Sequence, residues 1–274
     1  MIGLHQWESH KQRLVTSILM AAPLVALLAL GPYWSWTLLV MVVSALGLWE
    51  LQGLFFPDGL PNSWKMYFLL TGVLLPFFAA FGGTAWLHII LVAALFSSFI
   101  LILTVSPLDP SGIPRFALFE LGWLYIPYLL SYVLLIGQSQ NGRIWIFFVL
   151  LVIIAGDVGA YYTGKTWGRH KLYETVSPKK TMEGSFGGLA ASVICGVLFG
   201  TVFINGPSVA SLILLSGFLA LVGQLGDLIE SMIKRVSGRK DSSQMIPGHG
   251  GILDRMDSLL FAFPSLWAYL HWME

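Results

Sequence analysis

Residues 144–166 read IWIFFVLLVIIAGDVGAYYTGKT, with no charge before Asp157. A helix that crosses the hydrocarbon core of a bilayer needs about 20 mostly apolar residues. This stretch meets that length. Eight others do so too: 14–31, 33–52, 66–82, 85–105 and 116–137 before it, and 185–204, 207–235 and 252–273 after it. The breaks between them are turn chemistry: Gly31-Pro32, Pro57-Asp58-Gly59, Gly82-Gly83, Pro107 to Pro114, Gly137 to Asn141 and Asn205-Gly206-Pro207. The expected fold class is all-α, a polytopic membrane helical bundle of about nine transmembrane helices.

Composition agrees with that reading. Of 274 residues, 56% are hydrophobic and 11% charged, whereas a soluble domain carries about 25% charged residues. A water-soluble fold of this length has nowhere to hide so much apolar surface, and lipid removes the need. The net charge of +1 gives no reason to expect nucleic-acid binding. Cys195 is the single cysteine, so no disulfide forms within the chain. Residues 1–13 are polar and no small-x-small cleavage site stands out, so the first apolar stretch reads as a retained helix.

Lysine and arginine set the expected orientation. With the N-terminus in the cytoplasm and the spans alternating, 14 of the 15 basic residues fall on or near the cytoplasmic side, and only Arg143 falls outside. The expected division is an N-terminal set of transmembrane helices, 1–140, and a C-terminal region, 141–274. The latter carries the chemistry in two cytoplasmic loops, 167–184 and 236–251, and the helix ends beside them.

Three clusters of polar residues interrupt the apolar pattern. In GQLGDLIESMIKR, Asp227, Glu230, Ser231 and Lys234 are spaced i, i+3, i+4 and i+7, one face of a helix. The run from Pro207 to Arg235 has 29 residues, about 44 Å at the helical rise, longer than the hydrocarbon core is thick. Its polar face therefore belongs at a membrane boundary, facing a cavity rather than lipid. The plain alternative is a solvated helix end with an internal Glu230–Lys234 pair. In the second cluster, the glycines of Pro247-Gly248-His249-Gly250-Gly251 allow positive φ and a tight turn. A helix starts directly after it, where free amides favour phosphate, with Asp254, Asp257 and Ser258 in its first turns. Asp227, Asp254 and Asp257 together offer hard oxygen ligands for Mg²⁺ bridging phosphates. Acidic residues that merely complement a helix dipole are the alternative. The third cluster follows 144–166: Ser177-Pro178-Lys179-Lys180, then Glu183 before a glycine-rich helix start. Lysines there suit a lipid or nucleotide phosphate. Lys165, Arg169 and Lys171 read as ordinary positive-inside charges.

Gly159 to Thr166 matches the phosphate-loop pattern GxxxxGK[ST], but that loop works only between a strand and a helix. Here it continues an apolar span and is rejected. Gly196 and Gly200 form a GxxxG of the kind common in membrane helices by chance. Glu50 and Glu120 are assigned to no chemistry.

The segment Ser231 to Ser258, SMIKRVSGRKDSSQMIPGHGGILDRMDS, closely resembles the signature of the phosphatidate cytidylyltransferase (CDP-diacylglycerol synthase) family. That pattern reads S-x-x-K-R-x-x-x-x-K-D-x-x-x-x-x-P-G-H-G-G-x-x-D-R-x-D-S, and every fixed position is met. Gly226-Asp227-x-x-Glu230 and Ser177-Pro178-Lys179-Lys180-Thr181-x-Glu183-Gly184 resemble family blocks as well. The likeness runs from about Asp157 to Ser258.

It implies an enzyme that joins CTP to phosphatidic acid, giving CDP-diacylglycerol and pyrophosphate in phospholipid biosynthesis. It implies Mg²⁺, with room for a monovalent cation such as K⁺, and a polar cavity open to the cytoplasm and the inner leaflet of a bacterial cell membrane. The site residues expected are Asp227, Asp254 and Asp257 for metal and Lys234, Arg235 and Arg255 for phosphates. Gly248, His249, Gly250 and Gly251 would cradle the triphosphate, and Ser177, Lys179, Lys180, Glu183 and Ser231 would meet substrate. Analogy with other membrane enzymes points to a homodimer. A polyprenol kinase or an ether-lipid synthase would share the architecture without the whole signature. A transporter would place its acids at the midplane, and a CDP-alcohol phosphotransferase needs a D-G-x-x-A-R run that is absent.

Overall fold

The computed structural model describes residues 19, 21–105, 110–246 and 250–273. The chain forms two compact units. One comprises residues up to Leu135 together with Asp241–Arg255, the other Ile136–Lys240 together with Met256–Glu274.

In the first unit, α1 (Ala21–Leu30) leads through Gly31-Pro32 into α2 (Tyr33–Phe55); Pro32 lacks the N–H that would continue α1 and caps α2 in extended backbone. The following helix, α3 (Asn62–Val105), has 44 residues but is not continuous: Gly83 adopts φ 65 and ψ −156. That conformation is open to glycine and closed to most side chains. The two arms fold back on each other. The Tyr67 hydroxyl stands 2.7 Å from the Ser97 hydroxyl, 30 residues away, and Phe78 stacks on Trp86. The break expected at Gly82-Gly83 is therefore a reversal made at one glycine.

α4 (Gly112–Trp123) passes through a wider π turn, Leu124–Tyr128, into α5 (Leu129–Gln138). Pro127 sits inside the widened turn; it has no N–H for the regular ladder, and the wider turn accommodates the gap. The core between α2, α3 and α4 is aromatic. Phe68 stacks on Phe119 and Trp123, and the Trp123 indole N–H donates to the Phe68 carbonyl at 2.8 Å.

In the second unit, α6 (Gly142–Trp167) packs along α7 (Met182–Phe203), and α7 along α8 (Val209–Val236). Small residues allow this close approach. A Cβ on Gly188 would lie 2.7 Å from the Gly156 carbonyl, and Ser192 donates to the Val152 carbonyl at 2.7 Å. The Gly196 and Gly200 positions face Ser216 and Leu212 of α8, so this GxxxG does line a helix contact. Between α6 and α7 lies an element that hydropathy did not anticipate, a two-stranded antiparallel hairpin. β1 (Lys171–Tyr173) pairs with β2 (Ser177–Thr181), with Tyr173 opposite Ser177. Tyr173 and Thr181 favour extended backbone. α9 (Leu253–Met273) closes the order of elements.

The chain is a multi-pass membrane protein by its helices. Among the described residues, six are long and apolar enough to cross a bilayer: α2, α3, the run through α4 and α5, α6, α7 and α8. The folded-back α3 is long enough for two crossings, one in each arm. Large apolar side chains such as Phe81, Leu103, Leu198 and Leu214 are exposed along them, as lipid-facing surface requires. Of the nine spans expected, the first is seen from its described residues as the ten-residue α1, too short by itself to cross, and α9 carries Asp254, Arg255 and Asp257 in its first turns and falls short of that standard.

Candidate functional site

In the second unit a cavity of about 440 Å³ opens between α6, the β-hairpin, α7 and α8. Its polar lining comes from Asp157 and Lys165 on α6, Lys179 and Lys180 on β2, and Gln224 and Asp227 on α8. Each is delivered by local structure. Asp157 and Lys165 are two helical turns apart, so both project from one side of α6. The hairpin carries its two lysines to the cavity wall. Thr181 ends β2 and caps α7, its hydroxyl accepting from the Gly184 amide at 3.1 Å.

Lys180 and Asp227 form an ion pair at 2.5 Å. Ser231, one turn further along α8, donates to the other Asp227 oxygen at 3.3 Å and orients the carboxylate. Gln224 and Ser185 hydrogen-bond side chain to side chain, and the Gln224 amide also donates to the Ser185 carbonyl at 3.1 Å, tying α8 to α7 at the cavity floor. Asp257 on α9 interacts electrostatically with Asp227, Asp157 and Lys234. A Cβ on Gly226 would lie 2.5 Å from the Asp257 carbonyl, so the glycine beside Asp227 lets α9 come close at that point.

Several other expected residues are engaged with the protein itself. The Glu230–Lys234 pair exists, but in the interior rather than at a solvated end: Glu230 is fully buried and Lys234 is 8% exposed. Arg235 braces the loops instead of facing the cavity, donating to the Val176 carbonyl at 3.1 Å and the Arg239 carbonyl at 3.0 Å. Glu183 reaches back before the hairpin, accepting from the amides of Arg169 and His170 and pairing with the His170 ring at 2.6 Å. Ser177 opens β2 opposite Tyr173, and Arg255 is exposed on the first turn of α9.

The glycine turn belongs to the first unit. Gly248 and His249, with Pro247, lie outside the described residues. Gly250 has φ 79 and bridges to Ile246, as a glycine-dependent turn requires. The amides at the start of α9, expected to be free for phosphate, are taken. Gly251 donates to Asp254 Oδ2 at 2.8 Å, Ile252 to Glu50 Oε1 at 2.9 Å, and Leu253 to Glu50 Oε2 at 2.8 Å. Asp254 Oδ2 also accepts from the Ser242 amide and hydroxyl. A carboxylate satisfies helix-start amides as phosphate would, and here the protein supplies its own.

Among the described residues, no group of three His, Cys, Asp or Glu side chains stands ready to hold a metal by itself. Three participants escaped the reading of the sequence. Asp157 and Lys165 share a face of α6 with Tyr161, over whose ring the Lys165 ammonium lies at 5.7 Å; that i, i+4, i+8 spacing was the available signal. Gln224, one turn before Asp227, was the other. The phosphate-loop lookalike is ordinary α6 helix, as its rejection required.

Among known proteins, residues 11–273 match the family model described as Cytidylyltransferase family. A Bacillus subtilis (strain 168) protein named phosphatidate cytidylyltransferase is 34% identical over 266 residues, 95% of this chain and 97% of its own length. A Staphylococcus saprophyticus protein of the same name is 40% identical over 152 residues, 55% of this chain and 56% of that one. A Staphylococcus epidermidis relative, also so named, is 34% identical over 185 residues, 66% of this chain and 70% of its own.

Proposed function

The chain belongs to the cytidylyltransferase family, and we infer from that premise that it transfers the cytidylyl group of CTP to phosphatidic acid. The products are CDP-diacylglycerol and pyrophosphate. The observation that carries the reading is the meeting of Lys165, Lys179 and Lys180 with Asp157 and Asp227 around one cavity. Two phosphorylated substrates bring several negative charges, and a site for both needs cations and a place to bind another.

The chemistry asks little else of the protein. The phosphate of phosphatidic acid is already an anionic nucleophile. One of its oxygens attacks the α-phosphorus of CTP, the bond to the β-phosphate oxygen breaks, and pyrophosphate leaves with that electron pair. No general base is required, so the work is positioning and charge neutralisation. Lys179 and Lys180 meet phosphate from the hairpin side and Lys165 from α6. Ser231 keeps Asp227 turned toward the cavity. Gln224 and Ser185 hold α7 and α8 at a fixed separation beneath it.

The residues fit Mg²⁺. Asp227 and Asp257 interact with each other, and an ammonium already stands on Asp227 Oδ2. Mg²⁺ commonly takes one or two protein carboxylates and completes its shell with water and substrate phosphate, so a cage of three ligands is not needed. When bound, Mg²⁺ would neutralise charge on the triphosphate as the leaving group departs. Asp254, whose Oδ2 holds Ser242 and Gly251, shapes the turn in this reading. K⁺ is the second cation of the proposal, tested by leaving it out.

The excess of lysine and arginine on one side supports a cytoplasmic N-terminus and a site facing the cytoplasm from a bacterial inner membrane. A homodimer remains part of the proposal, and the mass of the detergent-solubilised protein tests it. Turnover of purified protein with phosphatidic acid, labelled CTP and Mg²⁺ tests the reaction. Labelled CDP-diacylglycerol is expected. Product formed only when a polyprenol replaces phosphatidic acid would move the substrate and overturn this assignment.

A further inference from the structure

Glu50 lies in the last two turns of an apolar helix, α2, and is 2% exposed. Four donors converge on its two oxygens. Oε1 accepts from the Ser243 hydroxyl at 2.6 Å and the Ile252 amide at 2.9 Å. Oε2 accepts from the Ser242 hydroxyl at 3.0 Å and the Leu253 amide at 2.8 Å. All four donors lie 192 to 203 residues further along the chain. Among the described residues no lysine, arginine or histidine pairs with this carboxylate. Burying an unpaired carboxylate is costly, and four hydrogen bonds are what make it tolerable. Gly251 completes the contact: a Cβ there would run into both Ser242 and the Glu50 carboxylate.

The connections run onward from this point. Ser242, held by Glu50, also donates to Asp254, which in turn accepts the Gly251 amide. Glu50, Ser242, Asp254 and the Gly251–Leu253 backbone are one hydrogen-bonded knot, and the helix that starts there carries Asp257 one turn later.

We propose that Glu50 is a positioning residue for the reaction, a buried carboxylate on α2 that clasps Ser242, Ser243 and the Ile252–Leu253 backbone and fixes where α9 begins. It touches neither substrate in this proposal. It acts by holding Asp254 and the first turn of α9 in place. The inference rests on the proposed reaction for its kinetic consequence, while the clasp itself can be measured without turnover.

The test uses the full chain in detergent, as wild type, Glu50→Gln and Ser243→Ala. Glutamine turns one acceptor into a donor that faces two of the four donors, and Ser243→Ala removes a single donor. Hydrogen exchange by mass spectrometry is read over 241–253 and over α6 to α8. In Glu50→Gln, exchange at Ile252 and Leu253 should rise by about tenfold or more, the worth of one hydrogen bond to a charged acceptor, with α6 to α8 unchanged. With CTP and phosphatidic acid, kcat should fall about 10- to 100-fold, the usual cost of losing an outer support of a phosphate or metal site. KM for CTP should move by less than about threefold, since the lost interaction orients rather than binds. Ser243→Ala should show the same pattern in smaller measure. Unchanged exchange at 251–253 in Glu50→Gln would overturn the clasp, whatever the activity. Raised local exchange with wild-type kcat would overturn the positioning role. So would a loss of kcat that only tracks a loss of folded protein across every helix.

Discussion

Each unit of the molecule sets carboxylates among its helices, and the two units treat them in opposite ways. Glu50 in the first unit has each oxygen saturated by one hydroxyl and one backbone amide, and it leaves no acceptor open. Asp227 and Asp257 in the second unit lie within electrostatic reach of each other and of Asp157, with Lys180 on one oxygen and Ser231 on another. The same functional group is a structural acceptor where N–H and O–H donors surround it. Where other carboxylates and lysines surround it, like charges stand close together, and the proposed function has bound substrate and cation complete the arrangement. The partners decide between the two roles, and burial alone does not: Glu50 is the more deeply buried of these acids.

The strongest way to break this contrast is to neutralise one acid of the second unit. Asp257→Asn, assayed for CDP-diacylglycerol formation, should lose about 10³-fold in kcat, the scale of removing one key electrostatic contact. Near-normal turnover in a folded protein would mean that the carboxylate cluster is not the reacting end. Next in size is the buried pair on α8. Lys234→Met leaves Glu230 without its ammonium in a fully buried place, and thermal unfolding should show a loss of about 3 kcal/mol or more. If stability holds, the interior is wetter than the geometry indicates.

Gly251→Ala probes the first unit directly. The added methyl meets Ser242 and Glu50, so unfolding measurements should show about 1–3 kcal/mol of destabilisation, with exchange raised in 241–253. The smallest effect is expected from Arg235→Ala. Its guanidinium braces two loop carbonyls from an exposed position, so stability should change by about 0.5 kcal/mol or less. A large rise in KM for CTP would instead return Arg235 to the phosphate role that its place in the signature suggests.

The membrane character and most of the helices were legible because apolar length is a local property. Gly82-Gly83 announced its reversal in the same way, through two residues that need no distant partner. Asp227 and Ser231 could be placed on one face by spacing alone. What stayed hidden depends on distance along the chain. Glu50 reads as one acid in a greasy helix, and nothing near it in sequence shows that its donors lie beyond residue 241. Lys165 was set aside as a boundary charge because the hairpin that gives it company, Lys171 to Thr181, is too short for periodicity to reveal. The phosphate expected at the start of α9 was a sound rule applied to amides that two carboxylates had already claimed.

The single-residue reversal in α3 bears on how the protein is made. A reversal at Gly83 leaves no hydrated loop between the arms for the insertion machinery to pass across the bilayer on its own. With no loop to hold them apart, one arm cannot enter lipid without bringing the adjoining end of the other with it. The pair must therefore partition together, zipped by the Tyr67–Ser97 contact and the Phe78–Trp86 stack, so that the unit of biogenesis here is the hairpin rather than the single span.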